Sequence, residues 1–438
     1  MGNTSLNRRD FLKLSALSSA SFVAGCAVNP VTGKMQLMLV SEQQEIQIDK
    51  QHSPHQFSAD YGFIQDKGIQ NYVSNVGQQI AKNTHRSHMP YAFHCVNATY
   101  VNAYAFPGGS IAATRGILLS LENEAELAAL MGHELGHVNA RHSAEQLTSG
   151  KITSAIVTGA SAWAQSKDKT YGVLVSGLGA LGSGLLLSKY SRDNEREADA
   201  LGMDYMVKTN YSPNGFIGLM DMLNNLSSRK PGLIEVMFSS HPMSDERYAN
   251  AKERLNNKYA DKKNKSLYRE RYMDNMKSLR KIQPAIANIQ NAEMSIAKKS
   301  FSDAESYLKK ALKIAPGDYS ALMVMSKCHL AQKDFNKARS YAQKANNIYP
   351  SEAQSSHILG MANIGLKRYD YALNNFQQYE KILPGNPNTI YYKGFALEKT
   401  GNKELAANAY TKFLKQVKQG DQAKHAFNKL SNWGYIKK

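Results

Sequence analysis

Two histidines and a glutamate are closely spaced in the stretch MGHELGHVNARH, residues 131–142. His133, Glu134 and His137 match the pattern H-E-x-x-H, in which two imidazoles hold a zinc ion and the glutamate serves as a general base. At about 100° per residue, the two histidines lie about 40° apart on one helix face, so both can reach one cation. A pair of hydrogen-bonded core histidines is the alternative. We expect one Zn²⁺ per chain, because these polar groups on a largely apolar helix need partners.

Such a zinc site needs a third protein ligand. His142 is unsuitable, because it lies about 140° around the helix from the second histidine of the motif. The stretch SRDNEREADALG, residues 191–202, offers a better set. Glu195 is predicted to bind the metal, and Asp199, one turn further on, is predicted to accept the N–H of a ligating histidine. Glu197 is predicted to lie at the surface. The alternative for this stretch is an acidic patch that pairs with neighbouring arginines.

The first 26 residues predict an export signal rather than part of the fold. Arg8 and Arg9 precede a short apolar stretch, as in a twin-arginine signal. Residues 23–26, VAGC, resemble a bacterial lipobox, in which the cysteine becomes lipidated. A plain N-terminal helix is the alternative, but it explains neither the arginine pair nor the cysteine. We therefore expect a protein outside the cytoplasm, held at a membrane by acyl chains on Cys26. Ala27, rather than an aspartate, follows Cys26, and this resembles the sequence of Gram-negative lipoproteins that are sorted to the outer membrane.

The positive charge is concentrated in the C-terminal third of the chain. Residues 281–438 contain 24 Lys and Arg and 11 Asp and Glu, a net charge of +13, whereas residues 1–280 contain 30 and 25, a net charge of +5. A basic region of this size favours acidic partners such as anionic lipids or acidic protein segments. A surface adapted only for solubility is the alternative. Nucleic acid is not an expected partner.

The same C-terminal third repeats itself every 34 residues. Prolines, alanines and aromatic residues each keep this spacing: Pro316, Pro350 and Pro384; Ala304, Ala338, Ala372 and Ala406; Phe301, Phe335 and Tyr369. Small residues let two helices approach closely, and a proline ends the second helix of a pair. The period is typical of tetratricopeptide repeats. It predicts an all-α solenoid with four units and a capping helix and tail, at 285–318, 319–352, 353–386, 387–420 and 421–438.

The region before the repeats is predicted to be helical with a small antiparallel sheet. The predicted strands lie at 91–99, 101–107 and 110–119. The glycine-rich segment 173–187 is too short to span a bilayer and predicts a buried helix, or a flap that touches membrane or covers a cleft. The highly charged residues 266–284 predict a linker or helix between the two domains.

Several sequence blocks together resemble one family of metallopeptidases. H-E-x-x-H followed by E-R-E-A-D resembles the gluzincin peptidases of the HtpX and CAAX-prenyl-protease type. The soluble branch is the most similar, because NPVTGKMQLMLVSEQQE (29–45), NAYAFPGG (102–109) and SSHPMSDER (239–247) resemble its other recurring blocks. The resemblance covers nearly all of the mature chain. It implies an α+β zincin metallopeptidase domain at 27–265, followed by the TPR solenoid.

The resemblance also implies a role for each matching residue. It implies that His133, His137 and Glu195 bind the metal and that Glu134 is the general base. His241 would either stabilise the oxyanion or close the zinc as a fourth ligand, and these two roles oppose each other. Arg247 would support the ligands from behind. Substrate backbone would pair with an edge strand formed by Asn102, Ala103, Tyr104, Ala105 and Phe106.

These features predict a zinc-dependent endopeptidase of the bacterial cell envelope. It would degrade misfolded or stalled envelope and outer-membrane proteins recruited through the TPR repeats, with the outer-membrane assembly machinery as a further expected partner. The expected location is the periplasm, with a lipid anchor in the inner face of the outer membrane. The alternative is a zinc-stabilised chaperone or assembly scaffold whose active site is mostly closed.

Overall fold

The computed structural model describes residues 26–150, 189–229 and 231–436. An N-terminal region (26–282) contains helices and two small sheets, and a repeat region (283–436) is wholly helical. The predicted fold class is therefore confirmed. The predicted export signal, apart from the backbone of Cys26, and the segment 173–187 lie outside the described residues. Within the described ranges, every helix is too short or too polar to serve as a membrane span.

The N-terminal region is built from short strands and eleven helices among the described residues. Its strands are β1 (Cys26–Val28), β2 (Met35–Leu37), β3 (Ala92–Val96), β4 (Ala103–Ala105) and β5 (Ser110–Thr114). Its helices are α1 (Glu42–Ala59), α2 (Lys67–Ala81), α3 (Arg115–Ser120), α4 (Glu124–Asn139), α5 (His142–Thr148), α6 (Arg192–Lys208), α7 (Asn214–Arg229), α8 (Pro231–Ser240), α9 (Asp245–Asn256), α10 (Arg269–Asn275) and α11 (Lys277–Lys281).

Strands β3, β5 and β4 form a sheet in that order, and β1 and β2 form a separate hairpin. β4 runs antiparallel to β5, but β3 runs parallel to it, so the sheet is mixed rather than wholly antiparallel as the sequence predicted. The predicted strand 110–119 was too long. It ends at Thr114, whose hydroxyl accepts the amide of Ile117 and caps helix α3.

Helices α4 and α6 approach closely because glycines lie at their contact. A methyl group on Gly132 would lie 2.7 Å from the carbonyl oxygen of Gly202, and one on Gly136 would lie 2.8 Å from that of Ala198. Any side chain at these glycines would push the two helices apart, since protein interiors leave no room for an added methyl. The contact therefore holds one face of α4 against one face of α6.

Side chains cap both of these helices at the N-terminus. The Asn123 side chain accepts the amide of Glu126, as the Asn-x-x-Glu spacing indicates, and the Glu126 carboxylate accepts a bond back from the Asn123 amide group. Ser191 and Asn194 form a reciprocal capping box at the start of α6. Because the caps satisfy amides that have no partner within the helix, they fix where each helix begins.

The repeat region consists of antiparallel helix pairs and a final helix. The pairs are α12 (Gln283–Ala297) with α13 (Phe301–Ile314), α14 (Tyr319–Ala331) with α15 (Phe335–Ile348), α16 (Gln354–Gly365) with α17 (Tyr369–Ile382), and α18 (Pro387–Lys399) with α19 (Lys403–Gln416); α20 is Asp421–Asn432. One pair lies within each predicted 34-residue unit, apart from the first residues of α12. The four repeated alanines are fully buried between the helices.

The charged segment 266–284 is folded against the N-terminal region. Helices α10 and α11 bury Tyr272, Met276 and Leu279 in the core of that region. The Tyr272 hydroxyl donates to the carbonyl of Leu118 at 2.6 Å. Most charged residues of this segment face outward, whereas its buried apolar residues pack into the core of the N-terminal region.

The repeat region packs against the N-terminal region through buried polar contacts. The guanidinium of Arg115, at the start of α3, pairs with Asp318 at 2.7 Å and donates to Ser320 at 2.6 Å. Thr99, in the loop before β4, donates to Glu293 of α12 at 2.7 Å. Further along, Glu352 accepts a hydrogen bond from Ser58 at the end of α1. These contacts link the repeats to the chain segments on either side of β4.

Candidate metal centre

Four side chains from three parts of the N-terminal region converge on one point. His133 and His137 come from α4, Glu195 from the first turn of α6, and His241 directly follows α8. The Nε2 atoms of His133 and His137 are 3.1 Å apart. Nδ1 of His241 lies 3.0 Å from Oε1 of Glu195 and 3.4 Å from Nε2 of His133. All four residues are buried.

The donor set and its spacing fit a tetrahedral zinc ion. Zinc bonds to nitrogen and oxygen are about 2.0–2.1 Å long, so tetrahedral ligand atoms are about 3.3 Å apart. The separations of 3.0, 3.1 and 3.4 Å match this value, as does 3.4 Å between Nε2 of His137 and Oε1 of Glu195. Burial holds the pKa of His137 well below its usual value, which favours the neutral imidazole that binds metals.

Glu134 lies beside the four ligands but is not one of them. Its carboxylate is buried, and its Oε1 has no hydrogen-bond partner among the described residues. Nε2 of His241 lies 3.9 Å from this oxygen, beyond hydrogen-bond distance. Burial raises the pKa of Glu134. An unpartnered, buried carboxylate oxygen at the edge of a metal site is what a base for a water molecule requires.

A second layer of charged residues orients the ligands. Asp199 lies 2.9 Å from Nδ1 of His133, so this nitrogen carries the proton and Nε2 is left free for a metal. Arg247 makes two bonds of 2.7 Å to Asp199 and pairs with Glu195 at 2.7 Å. Burial opposes ionisation of Asp199, but the charge of Arg247 outweighs it and lowers the pKa of the Asp199 carboxyl. Asp199 and Arg247 thus lie directly behind the ligand side chains.

His142 lies behind the metal ligand His137. The sequence analysis excluded it as a ligand but did not identify its contacts. Its helical angle ruled it out as a ligand, and its Nδ1 instead lies 2.9 Å from Nδ1 of His137. Its Nε2 lies 3.2 Å from the carboxylate of Glu197. Glu197, which the sequence analysis placed at the surface, is half-buried, and its carboxylate ends a chain that runs from His137 through His142.

Tyr190 is a member of the site that the sequence did not reveal. Its ring stacks on His137 with the centroids 3.9 Å apart, and its hydroxyl contacts Ser143 at 3.2 Å. Its amide donates to the carbonyl of Ser240, next to His241. A tyrosine before the SRDNE stretch matches no motif, so only the folded arrangement could identify it.

The predicted edge strand lies next to α4, the helix that carries His133 and His137. β4 packs on α4 and is the last strand of its sheet among the described residues. Ala103, Tyr104 and Ala105 are all buried. Asn102, just before the strand, has a buried side-chain oxygen without a hydrogen-bond partner among the described residues. The Tyr104 hydroxyl donates to Asp60 at 2.6 Å, which fixes the strand from its other side.

Family models match both regions of the chain. Residues 69–255 match the model of Peptidase family M48, and residues 295–359 match a tetratricopeptide repeat model. A thermophilic TPR protein in Thermus thermophilus is similar to 39% of this chain and 93% of its own, with 17% identity and a TM-score of 0.30.

Three curated relatives share the peptidase region. The beta-barrel assembly-enhancing protease of Yersinia pestis is 27% identical over 206 residues, 46% of this chain and 42% of its own. The same-named protein of Escherichia coli K12 is 26% identical over 201 residues, 44% and 40%. Metalloprotease YcaL of E. coli K12 is 34% identical over 155 residues, 35% and 58%. The chain thus spans less than two thirds of the length of each of these relatives. It contains a domain of peptidase family M48, a family of zinc metallopeptidases, followed by tetratricopeptide repeats.

Proposed function

We propose that this protein is a zinc-dependent endopeptidase of the bacterial cell envelope that degrades misfolded or stalled envelope proteins. The observation that carries the proposal is the position of Glu134, whose unpartnered Oε1 lies beside four convergent ligand side chains. A purely structural metal site has no use for a buried carboxylate without a partner.

Different side chains would serve different steps of the proposed peptide hydrolysis. His133, His137 and Glu195 would hold a zinc ion, which would supply Lewis acidity and make the attacking water more acidic. Glu134 takes the proton of the attacking water and passes it to the leaving amine. Asp199 and His142 hold the two histidines in the orientation that directs Nε2 inward.

Substrate selection follows from the position of β4. An extended peptide that adds a strand to β4 would bring its backbone alongside α4 and the metal ligands. Folded proteins do not offer an unpaired strand, so unfolded segments are the preferred substrates. The TPR repeats would recruit these clients, and the relatives named as assembly-enhancing proteases suggest the outer-membrane assembly machinery as a partner.

Acyl chains on Cys26 would hold the protein at the inner face of the outer membrane, in the periplasm. This part of the proposal is supported by the lipobox at residues 23–26 and by the twin-arginine motif.

The test of the mechanism is Glu134→Gln, with zinc content measured in parallel. The substitution keeps the size of the side chain but removes the base, so we expect bound zinc to stay at one per chain and hydrolysis of an unfolded protein to fall by at least about a hundredfold. His425→Gln, in the repeat region, is the matched control and should hydrolyse at the wild-type rate. Wild-type hydrolysis by zinc-loaded Glu134→Gln would contradict the mechanism.

A second candidate function is a zinc-stabilised chaperone or assembly scaffold. The observation that favours it is His241, which lies among the ligands and can fill the position where water would bind. If His241 is a permanent fourth ligand, cells with Glu134→Gln should be fully functional, whereas cells lacking residues 285–420 should not. If the peptidase is the essential activity, both strains should show the defect of a full deletion.

A further inference from the structure

The β1–β2 hairpin has its apolar side chains on the outside. Val28, Met35, Leu37 and Leu39 have exposed fractions of 57%, 64%, 58% and 62%, respectively. Twelve large hydrophobic residues are exposed among the described residues, and four of them lie in this one stretch. A concentration of exposed apolar side chains marks a contact surface rather than ordinary surface variation.

The register of the hairpin places three of these residues on one face. Val28 pairs directly with Met35, and Leu37 lies two positions further along β2, whereas Leu39 follows two residues beyond the end of the strand. Directly opposed and alternating residues share one face of an antiparallel ribbon. We call these four side chains the apolar hairpin face.

The opposite face of the hairpin is turned toward the protein body. Ala27 and Gln36 are half-buried there, and Met38 is buried. A hairpin that covers a protein core normally places apolar residues inward and polar residues outward. Here Gln36 lies inward and the larger hydrophobic residues lie outward, so the hairpin is built for an apolar environment outside the chain.

The turn of the hairpin is held in a fixed conformation. The buried side chain of Asn29 accepts the amides of Val31 and Thr32 at 2.8 and 3.0 Å, and its amide group donates to Gln36 at 3.1 Å. Gly33 occupies the left-handed region at φ 68°, which a residue without a β-carbon adopts at no steric cost. The apolar hairpin face is therefore presented on a rigid support, which reduces the entropy lost on contact.

The segment that follows the hairpin is hydrogen-bonded to α5 and to Arg141, which lies between α4 and α5. The amide of Leu39 donates to Thr148 of α5 at 3.0 Å, and Arg141 donates to the carbonyl of Val40 at 2.7 Å. His142, which supports the metal ligand His137, lies directly after Arg141. Whatever contacts the hairpin is therefore held at a fixed distance from the metal centre.

We propose that the apolar hairpin face docks into the surface of a lipid bilayer. The choice of a bilayer rests on the anchor in the proposed function, because acyl chains on Cys26 would begin at the first residue of β1, whose backbone pairs with Leu37. The face would then lie within a few ångströms of the headgroups. The exposed Lys34 at the turn favours an anionic surface.

The first experiment measures the depth of the hairpin in the acylated chain. Leu37→Cys would carry an environment-sensitive fluorophore, and Leu405→Cys, 56% exposed in the last repeat, is the matched control. Cys95 and Cys328 are buried, so the label reaches the introduced cysteine selectively. In phosphatidylethanolamine–phosphatidylglycerol vesicles with nitroxide on the acyl chains, we expect several-fold stronger quenching at position 37 than at position 405. Equal quenching at both positions overturns the proposal.

The second experiment separates the hairpin from the anchor. The mature chain, residues 26–438, with Cys26→Ser cannot be acylated there, and we expect it to float with the same vesicles. Adding Met35→Gln and Leu37→Gln should reduce this binding at least about tenfold, whereas adding Leu405→Gln should leave it unchanged. If the hairpin substitutions leave flotation unchanged, the proposal is overturned, even if mass spectrometry of the wild-type protein finds Cys26 acylated. A missing acyl group with intact hairpin-dependent flotation would instead refute only the anchor.

Another occupant would give a different result. If a second copy of the chain covers the face, sedimentation without lipid will show a dimer that Leu37→Gln converts to a monomer, and this outcome also overturns the proposal.

Discussion

The N-terminal region and the repeat region both bring helices into close contact, but they use different residues for it. Between α4 and α6 the contact is made by Gly132, Gly136 and Gly202, where even a methyl group would meet backbone atoms. In each repeat the contact is made by an alanine, such as Ala338 or Ala372. The glycines between α4 and α6 bring two backbones together in one geometry, whereas the alanine contacts recur every 34 residues and build a uniform stack.

The two regions also differ in what they bury. The repeats bury mainly apolar side chains, and their contacts join helices that are close in sequence. The N-terminal region buries charged groups whose partners are far away, since His241 is 108 residues from His133 and 46 from Glu195. Buried charge is unfavourable unless it is paired. Paired buried charge lies at the metal centre, at the contact between the two regions, and in the cluster of Arg86, Glu45 and Arg141 that joins α1 to the end of α4.

The largest effect is expected at the contact between the regions. Arg115 and Asp318 form a buried ion pair, with side-chain exposures of 4% and 3%. Arg115→Met would leave the Asp318 carboxylate buried without its counter-charge, which costs about 3–5 kcal/mol. We expect urea denaturation followed by circular dichroism to show this loss, with the repeat region detaching first.

The double variant Arg115→Met/Asp318→Leu is the control for this pair. It removes both charges, so it should recover much of the lost stability. If the double variant is as unstable as Arg115→Met alone, packing rather than charge pairing holds the regions together.

A smaller loss of stability is expected when the glycine contact between α4 and α6 is disrupted. In Gly202→Ala, the added carbon would lie 2.7 Å from the backbone nitrogen of His133, so α4 and α6 must separate. We expect a loss of about 1–3 kcal/mol in the free energy of unfolding together with weaker zinc binding. Gly317→Ala in the repeats is the control, because its nearest neighbour would be 4.0 Å away. Equal effects of the two substitutions would contradict the distinction between the regions.

The sequence predicted best what is local or periodic. The 34-residue spacing indicated the repeat units, and the H-E-x-x-H spacing indicated which face of α4 carries the ligands. Glu195 and Asp199 were predicted as a pair one helical turn apart, whereas Arg247 and His241 came only from the family resemblance, since no spacing relates them to α4. The stacking of Tyr190 and the contact of His142 with Glu197 depend on how distant segments pack, which no local pattern encodes. The mixed sheet was missed for the same reason, because strand order is a non-local property.

The smallest of these effects should come from the layer behind the ligands. With Nε2 of His137 directed at the metal, its Nδ1 carries the proton and donates to Nδ1 of His142, whose Nε2–H donates to Glu197. His142→Ala removes the acceptor that fixes this orientation, so zinc affinity should fall about 10–100-fold, as measured by competition with a chelator. Glu197→Gln keeps an oxygen acceptor at the end of the chain and should change the affinity only slightly. The thermal stability of the metal-free proteins separates two explanations: a residue that only fills space would lower it in His142→Ala without selectively weakening zinc binding. Unchanged zinc affinity in His142→Ala would show that the metal holds His137 without help from α5.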